Sequence, residues 1–92
     1  MTEKEILVTK GFAKSLSNQA LDREKVNNIL AAKNATVFME AVNKLGDDLT
    51  SKKVKAEAEV VYKEFGFAEY SSTPLPFEKF DEFIMLLKFN IS

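Results

Sequence analysis

The amino-acid sequence predicts an all-α protein, a small irregular bundle of four or five helices with an apolar C-terminal helix. Apolar residues recur at spacings of three and four in several segments, which is the period of one face of an α-helix. Residues that cap helices precede most of these segments. Alanine, lysine and glutamate favour helix over strand and fill residues 53–62, where an alternation of period two would also allow a strand. Helical propensity therefore decides the fold class.

Length and composition predict one soluble domain spanning residues 1–92. Single domains typically contain about 50 to 250 residues, so there is no room for a second one. The chain is 46% hydrophobic and 29% charged, which is typical of a globular protein. No apolar run approaches the roughly 18 residues of a membrane span, and the N-terminal residues lack the pattern of a signal peptide. Since there is no cysteine either, we expect a cytoplasmic protein that does not bind membranes.

The N-terminal segment begins with a capping box formed by Thr2 and Glu5. In this motif the threonine side chain accepts a hydrogen bond from a backbone N–H and the glutamate reaches back to the cap. The pair predicts a helix over residues 3–17. Residues 5–9 also allow a short strand, because they contain a continuous apolar run of ambiguous period. The helical stripe consists of Val8, Phe12, Ala13 and Leu16.

Two polar residues predict the starts of the next two helices. Asp22 is a candidate N-cap for a second helix that runs to about residue 32, and Asn34 is one for a third helix. Gly46 lies where a C-terminal glycine is common. The alanines near the junction instead favour one long helix over residues 22–45, so both alternatives stay open. The inward-facing residues are Val26, Ile29 and Leu30 in the second helix, and Val37, Phe38, Ala41, Val42 and Leu45 in the third.

A fourth helix is predicted to end at about Phe65, before Gly66. Several residues are candidate caps at its start, namely Asp47, Asp48, Thr50 and Ser51. Its apolar residues step by four, three and four: Val54, Ala58, Val61 and Phe65. The polar stretch that follows contains Pro74 and Pro76 and is predicted to be the main loop of the chain.

The last helix, predicted over residues 76–89, is the segment around which the bundle is organised. Its stripe toward the core is Phe77, Phe80, Ile84 and Leu87. The consecutive apolar residues 83–87 extend around the helix, and a helix that is apolar on all sides has to be covered on several of them. We therefore expect it to be the most enclosed helix, covered by its own domain or by a partner.

The available side chains argue against an enzyme. The sequence has no histidine and no cysteine, which removes the commonest general base, the commonest soft metal ligands and the thiol nucleophile. The glycines are too scattered for a phosphate-binding loop. The notable carboxylates are best explained as helix caps and solvated faces: Glu40, Asp47, Asp48, Glu78, Asp81 and Glu82. No catalytic residue, cofactor, metal or small-molecule substrate is therefore predicted.

The aromatic residues carry the functional prediction, since most of them lie in the last third of the sequence. Met85 and Phe89 lie on the last helix away from its core stripe. With Phe67 and Tyr70 they are predicted to form an exposed apolar patch, and such patches usually mark an interface. We expect a non-enzymatic protein that binds another protein or a second copy of itself, as a regulator, inhibitor, immunity factor or assembly accessory. No motif ties the chain to a known family.

The alternative function is a small DNA-binding regulator of helix-turn-helix type. Lys52, Lys53 and Lys55 form the one basic cluster, and the second and third helices would supply the motif. Glutamates follow the cluster closely, and Arg23 is the sole arginine, although arginine is the usual reader of guanine edges and phosphates. Protein binding is therefore preferred over DNA binding.

Overall fold

Residues 2–67 and 78–91 are described by a computed structural model, and every regular element within them is an α-helix. The five helices in these residues are α1 (Glu3–Leu16), α2 (Arg23–Leu30), α3 (Ala35–Asn43), α4 (Leu49–Phe65) and α5 (Glu78–Asn90). The predicted all-α class is confirmed, and the segments 5–9 and 53–62, for which strands were considered, are both helical. The radius of gyration is 12.1 Å, close to the value of about 12 Å expected for a compact chain of this length.

The helix starts follow the capping residues that the sequence predicts. Thr2 and Glu5 form a complete capping box: the Glu5 N–H donates to Thr2 Oγ1 at 3.1 Å, and the Thr2 N–H donates to Glu5 Oε1 at 2.8 Å. Asp22, Asn34 and Asp48 accept from backbone N–H groups in the first turns of α2, α3 and α4. Each of these bonds satisfies a donor that the first helical turn leaves unpaired.

The helical conformation is interrupted between α2 and α3. This confirms two helices rather than one over residues 22–45. α2 has Ala31 as its C-cap, and the Asn34 side chain starts α3 by accepting from the Val37 N–H at 2.9 Å. Asparagine offers the backbone a hydrogen bond that competes with the continuing helix. This competition offsets the helical propensity of the alanines beside it.

A glycine ends α4 but not α3. Gly66 has the left-handed conformation (φ 69°, ψ 28°), which directs its N–H back to the carbonyls of Tyr62 and Lys63. The prediction that Gly46 is the C-terminal glycine of α3 is wrong, since α3 stops earlier and its C-cap, Lys44, is right-handed. The Lys44 N–H already bonds carbonyls of the last turn, so a left-handed glycine is not needed there.

The interior of α1 to α4 follows the predicted stripes with one exception. Val8 and Leu30 are partly buried against the core, and Val37, which was predicted to face inward, is 42% exposed. The core face of α3 is centred on Phe38 and Val42, and position 37 is rotated from Phe38 by about 100°. The predicted residues that are buried are Phe12, Ala13, Leu16, Val26, Ile29, Phe38, Ala41, Val42, Leu45, Val54, Ala58, Val61 and Phe65.

Phe83 of α5 lies at the centre of an aromatic core. Its ring centroid is 5.3 Å from that of Phe38 in α3 and 5.2 Å from that of Phe65 in α4. Three more rings surround it at 6.4, 5.7 and 6.0 Å, those of Phe12, Phe67 and Phe80. Most of these pairs are edge-to-face, an arrangement that adds about 0.5–1.5 kcal/mol per pair to the effect of burial. The aromatic core therefore fixes one face of α5 to the rest of the bundle.

α5 is buried on one face only, and α3 has the larger buried share, four of its nine residues, so the expectation that α5 is the most enclosed helix is wrong. Its buried residues are Phe80, Phe83, Ile84 and Leu87. Phe77, the first residue of the predicted stripe, lies outside the described residues. Met85 is 70% exposed, because α5 packs mainly on α1, with a smaller contact to α2, and neither helix reaches its far side. The apolar run at residues 83–87 thus exceeds what the bundle covers.

Candidate interaction surface on helix α5

The outer face of α5 consists of Asp81, Glu82, Met85, Lys88 and Phe89, all of which are exposed. Met85 is 70% exposed and Phe89 is 86% exposed. The two residues are about one helical turn apart, so their side chains are neighbours on the surface. The outer face therefore presents two large apolar side chains, with carboxylates toward the N-terminus of the helix and a lysine toward its C-terminus.

An ion pair attaches the first turn of α5 to α1. Lys79 Nζ lies 2.8 Å from Glu5 Oε2, and Glu5 is only 4% exposed. Lys79 also lies over the Phe65 ring, 5.9 Å from its centroid. The other Glu5 oxygen accepts from the Thr2 N–H, so the buried carboxylate has a partner on each oxygen. This pair fixes the position of α5 along α1.

The environment of Glu5 lowers the pKa of its carboxyl. Burial by itself raises the pKa, because it disfavours the charged form. Hydrogen bonds from Lys79 and from the Thr2 N–H, together with the positive charge of Lys79, outweigh the effect of burial. Glu5 is therefore ionised in the folded protein at neutral pH, and its pair with Lys79 is present there.

The last turn of α5 is held as well. Asn90 Nδ2 donates to the Leu86 carbonyl at 2.8 Å, and the Ile91 N–H donates to the Leu87 carbonyl at 3.1 Å. Ile91 packs against the core. A surface on a regular helix that is anchored at both ends keeps its side chains in a defined arrangement, as a binding site requires.

A groove of about 470 Å³ borders the outer face on the side of α2. It is lined by Leu30, Ala31, Ala32, Lys33, Asp81, Ile84, Met85 and Lys88. Most of these residues are apolar, so the apolar surface around Met85 extends toward the turn between α2 and α3. The charged residues Lys33, Asp81 and Lys88 line the same groove.

Two of the four residues predicted to bind a partner lie together on the outer face of α5. These are Met85 and Phe89, which are both exposed. Phe67 is 1% exposed and its ring lies 5.1 Å from that of Phe65, so its assignment to an exposed patch is wrong. Tyr70 lies outside the described residues.

Sequence reasoning did not include Asp81 and Lys88 in the surface. Asp81 was assigned to a solvated face, and Lys88 was given no role. Both are three or four residues from Met85, a spacing that places side chains next to one another on a helix. This spacing is the sequence signal that places both residues beside Met85, on the charged border of the outer face.

A second apolar groove, of about 190 Å³, lies between α1 and α4. It is lined by Val8, Gly11, Phe12, Glu57 and Val60. Gly11 contributes no side chain, and a Cβ at this position would meet nothing within 4 Å. The sequence signal for this groove was a glycine within an apolar stripe. The other exposed large apolar residues in the described ranges are dispersed over three helices: Leu7, Val37 and Leu49.

Glu40 and Asp81, two of the predicted carboxylates, lie in different grooves. Glu40 lines a groove between α2 and α3, whereas Asp81 lines the groove beside α5. Asp47 pairs with Lys55 at 3.6 Å, and Asp48 caps α4. Among residues 2–67 and 78–91, no group of three or more His, Cys, Asp or Glu is placed to hold a metal ion.

The lysines of the DNA-binding alternative are divided between different contacts. Lys55 is paired with Asp47, while Lys53 lines a groove between α1 and α4 together with Lys14. Lys52 is exposed. The second helix of a helix-turn-helix motif enters the major groove, and here α3 carries no basic residue within its bounds. No feature of these residues favours DNA binding over protein binding.

No protein-family model, curated protein or solved structure matches this chain. In the part of the chain that the structure describes, no helix combines the length and the apolar content needed to cross a membrane. The evidence for function therefore comes from the outer face of α5 itself.

Proposed function

We propose that the protein acts without catalysis, by binding another polypeptide through the outer face of α5. The observation that carries this proposal is the exposure of Met85 and Phe89 on a helix whose opposite face holds the centre of the core. Neighbouring apolar side chains in water are unfavourable until a partner covers them. A regulator, inhibitor, immunity factor or assembly accessory acts in this manner, by occupying the surface of another molecule.

The chemistry of the outer face suits an interface. Burying one large apolar side chain contributes roughly 1.5–3 kcal/mol to binding, and the face offers two of them. Aromatic residues and methionine are enriched at interfaces, while the rim of an interface is polar. Asp81, Glu82 and Lys88 have the position of such a rim. Because α5 is anchored at both ends, binding requires little ordering of the backbone.

Site-specific photo-crosslinking in cells that produce the full chain tests this proposal. A photoreactive phenylalanine analogue replaces Phe89 in one variant and Leu49 in a matched control. Leu49 is also 86% exposed but lies at the start of α4. We expect an adduct with a second polypeptide from position 89 and none from position 49. The mass of the adduct distinguishes another protein from a second copy of the chain.

Two outcomes of this experiment would overturn the proposal. One is the absence of any adduct from position 89. The other is an equal yield of the same adducts from positions 89 and 49, because exposure alone, rather than the outer face of α5, would then account for the contacts.

A further inference from the structure

We infer that the outer face of α5 binds the same face of a second copy of the chain, in an antiparallel arrangement. This inference rests on the proposed function, since it names the partner of the same surface. The order of charges along the helix carries it. Asp81 and Glu82 lie toward the N-terminus of α5, and Lys88 lies toward its C-terminus. A surface whose charge changes sign along its length is complementary to itself when one copy is turned end to end.

The spacing of the charges sets the register of the two helices. Asp81 and Lys88 are about two helical turns apart, on one edge of the outer face, and Met85 lies between them. When a two-fold axis passes beside Met85, Lys88 of one copy and Asp81 of the other lie at nearly the same position along the helix axes. The offset is about 1.5 Å, the rise of one residue. The symmetry forms this ion pair twice.

The apolar residues fit the same register. Glu82 and Phe89 are also about two turns apart, on the other edge of the outer face. Phe89 of one copy therefore lies against the aliphatic part of Glu82 of the other copy. The two Met85 side chains meet at the axis, within reach of the Phe89 rings, and a thioether beside an aromatic ring is a favourable contact. One contact thus covers both of the large apolar side chains on the outer face.

Other arrangements satisfy the surface less well. A parallel two-fold pair would place Asp81 of one copy beside Glu82 of the other, which is repulsive, and Lys88 beside Phe89, which leaves the lysine without a carboxylate. A partner of different sequence needs an independent, matching order of charges, whereas a second copy has it by symmetry. A contact limited to one helix face and its adjoining groove belongs to the small interfaces, below about 1,200 Å² in total. The dimer is therefore expected to be reversible and dependent on concentration.

Sedimentation equilibrium of the purified full chain tests the inference, over about 10 μM to about 1 mM. The apparent mass is expected to rise from that of the 10.4 kDa chain toward twice that value. Lys88→Asp and Asp81→Lys each place like charges across the interface, so each should raise the dissociation constant about tenfold or more. The double variant exchanges the two charges and should restore dimerisation. Lys52→Asp makes a matched charge change on α4 and should leave the mass unchanged.

The outcomes separate the inference from the proposed function. A monomeric mass over the whole range would overturn the inference. If position 89 still crosslinks to a different polypeptide in cells, the proposed function stands and the second copy is the wrong partner. If the chain dimerises but neither single charge variant weakens the dimer, the antiparallel pairing is overturned. All the substituted side chains are exposed, and far-UV circular dichroism verifies that each variant is folded before its mass is compared.

Discussion

Glu5 joins α1 and α5 through a single carboxylate. One oxygen accepts from the Thr2 N–H and caps α1, and the other lies 2.8 Å from Lys79 Nζ. Because folding lowers the pKa of Glu5, the folded protein binds this proton less tightly than the unfolded chain does. The stability that Glu5 contributes is therefore fully present above its ordinary pKa of 4.5, and it is lost as the pH falls through the lower pKa of the folded state.

Replacing Glu5 by glutamine removes the charge and keeps an oxygen that can cap α1. We expect Glu5→Gln to lower the free energy of unfolding at pH 7 by about 1–2 kcal/mol, a modest effect because the Lys79 side chain is 40% exposed and partly screened. Urea denaturation of the variant and the parent protein measures this difference in the free energy of unfolding. The difference from the parent protein should shrink at about pH 3, because the unfolded parent chain binds a proton at Glu5 below the ordinary pKa of 4.5 and this favours unfolding.

Glu5→Ala is the control for this variant, since it removes the cap as well and should cost about 1 kcal/mol more than Glu5→Gln. A difference between Glu5→Gln and the parent protein that is the same at pH 7 and at about pH 3 would show that the charge of Glu5 does not stabilise the fold.

Within the helices, Gly66 and Gly11 have opposite expected effects on stability. Gly66 ends α4 with φ 69°, whereas Gly11 lies inside α1, where an added Cβ would meet nothing within 4 Å. Gly66→Ala should lower the free energy of unfolding by about 1–2 kcal/mol, because L-residues disfavour the left-handed conformation. Gly11→Ala should raise it by roughly 0.5–1 kcal/mol, because alanine is the better helix former. Thermal unfolding checks both, and a change of the opposite sign in either variant would contradict its assigned role.

The ends of the helices were largely predictable because they depend on residues that are close in sequence. The predicted caps Thr2, Asp22 and Asn34 bond N–H groups two or three residues away, and of the four candidates for α4 Asp48 is the cap. The burial of Phe67 was not predictable in this way, because it depends on rings that distant helices place around Phe83. The pairing of Glu5 with Lys79 has the same origin, since the two residues meet only when α5 packs on α1.

The candidate surface was only partly predictable, for a related reason. The helical period places Met85 and Phe89 away from the core stripe, and both are exposed. The apolar run at residues 83–87 shows that the helix needs covering on several sides, but it does not show how many helices supply the cover. That number depends on the packing of the whole bundle, in which α1 and, to a smaller extent, α2 contact α5.

The described helices close their core without the outer face of α5. Phe83, Ile84 and Leu87 are buried on the inner face, and the aromatic rings from the other helices surround Phe83. In the described ranges, no buried side-chain polar atom lacks a hydrogen-bond partner. The hydrogen bonding of the interior therefore needs no partner molecule. Met85 and Phe89 lie outside this interior and are exposed to water.

The central claim is that Met85 and Phe89 serve binding rather than folding. The most direct measurement is the free energy of unfolding of the double variant Met85→Gln/Phe89→Gln, in urea, at a dilution where the chain is monomeric. Phe83→Ala is the control and should lose about 3–5 kcal/mol. The double variant should stay within about 0.5 kcal/mol of the parent protein. A loss of more than about 2 kcal/mol in the double variant would assign both residues to the core and contradict the claim.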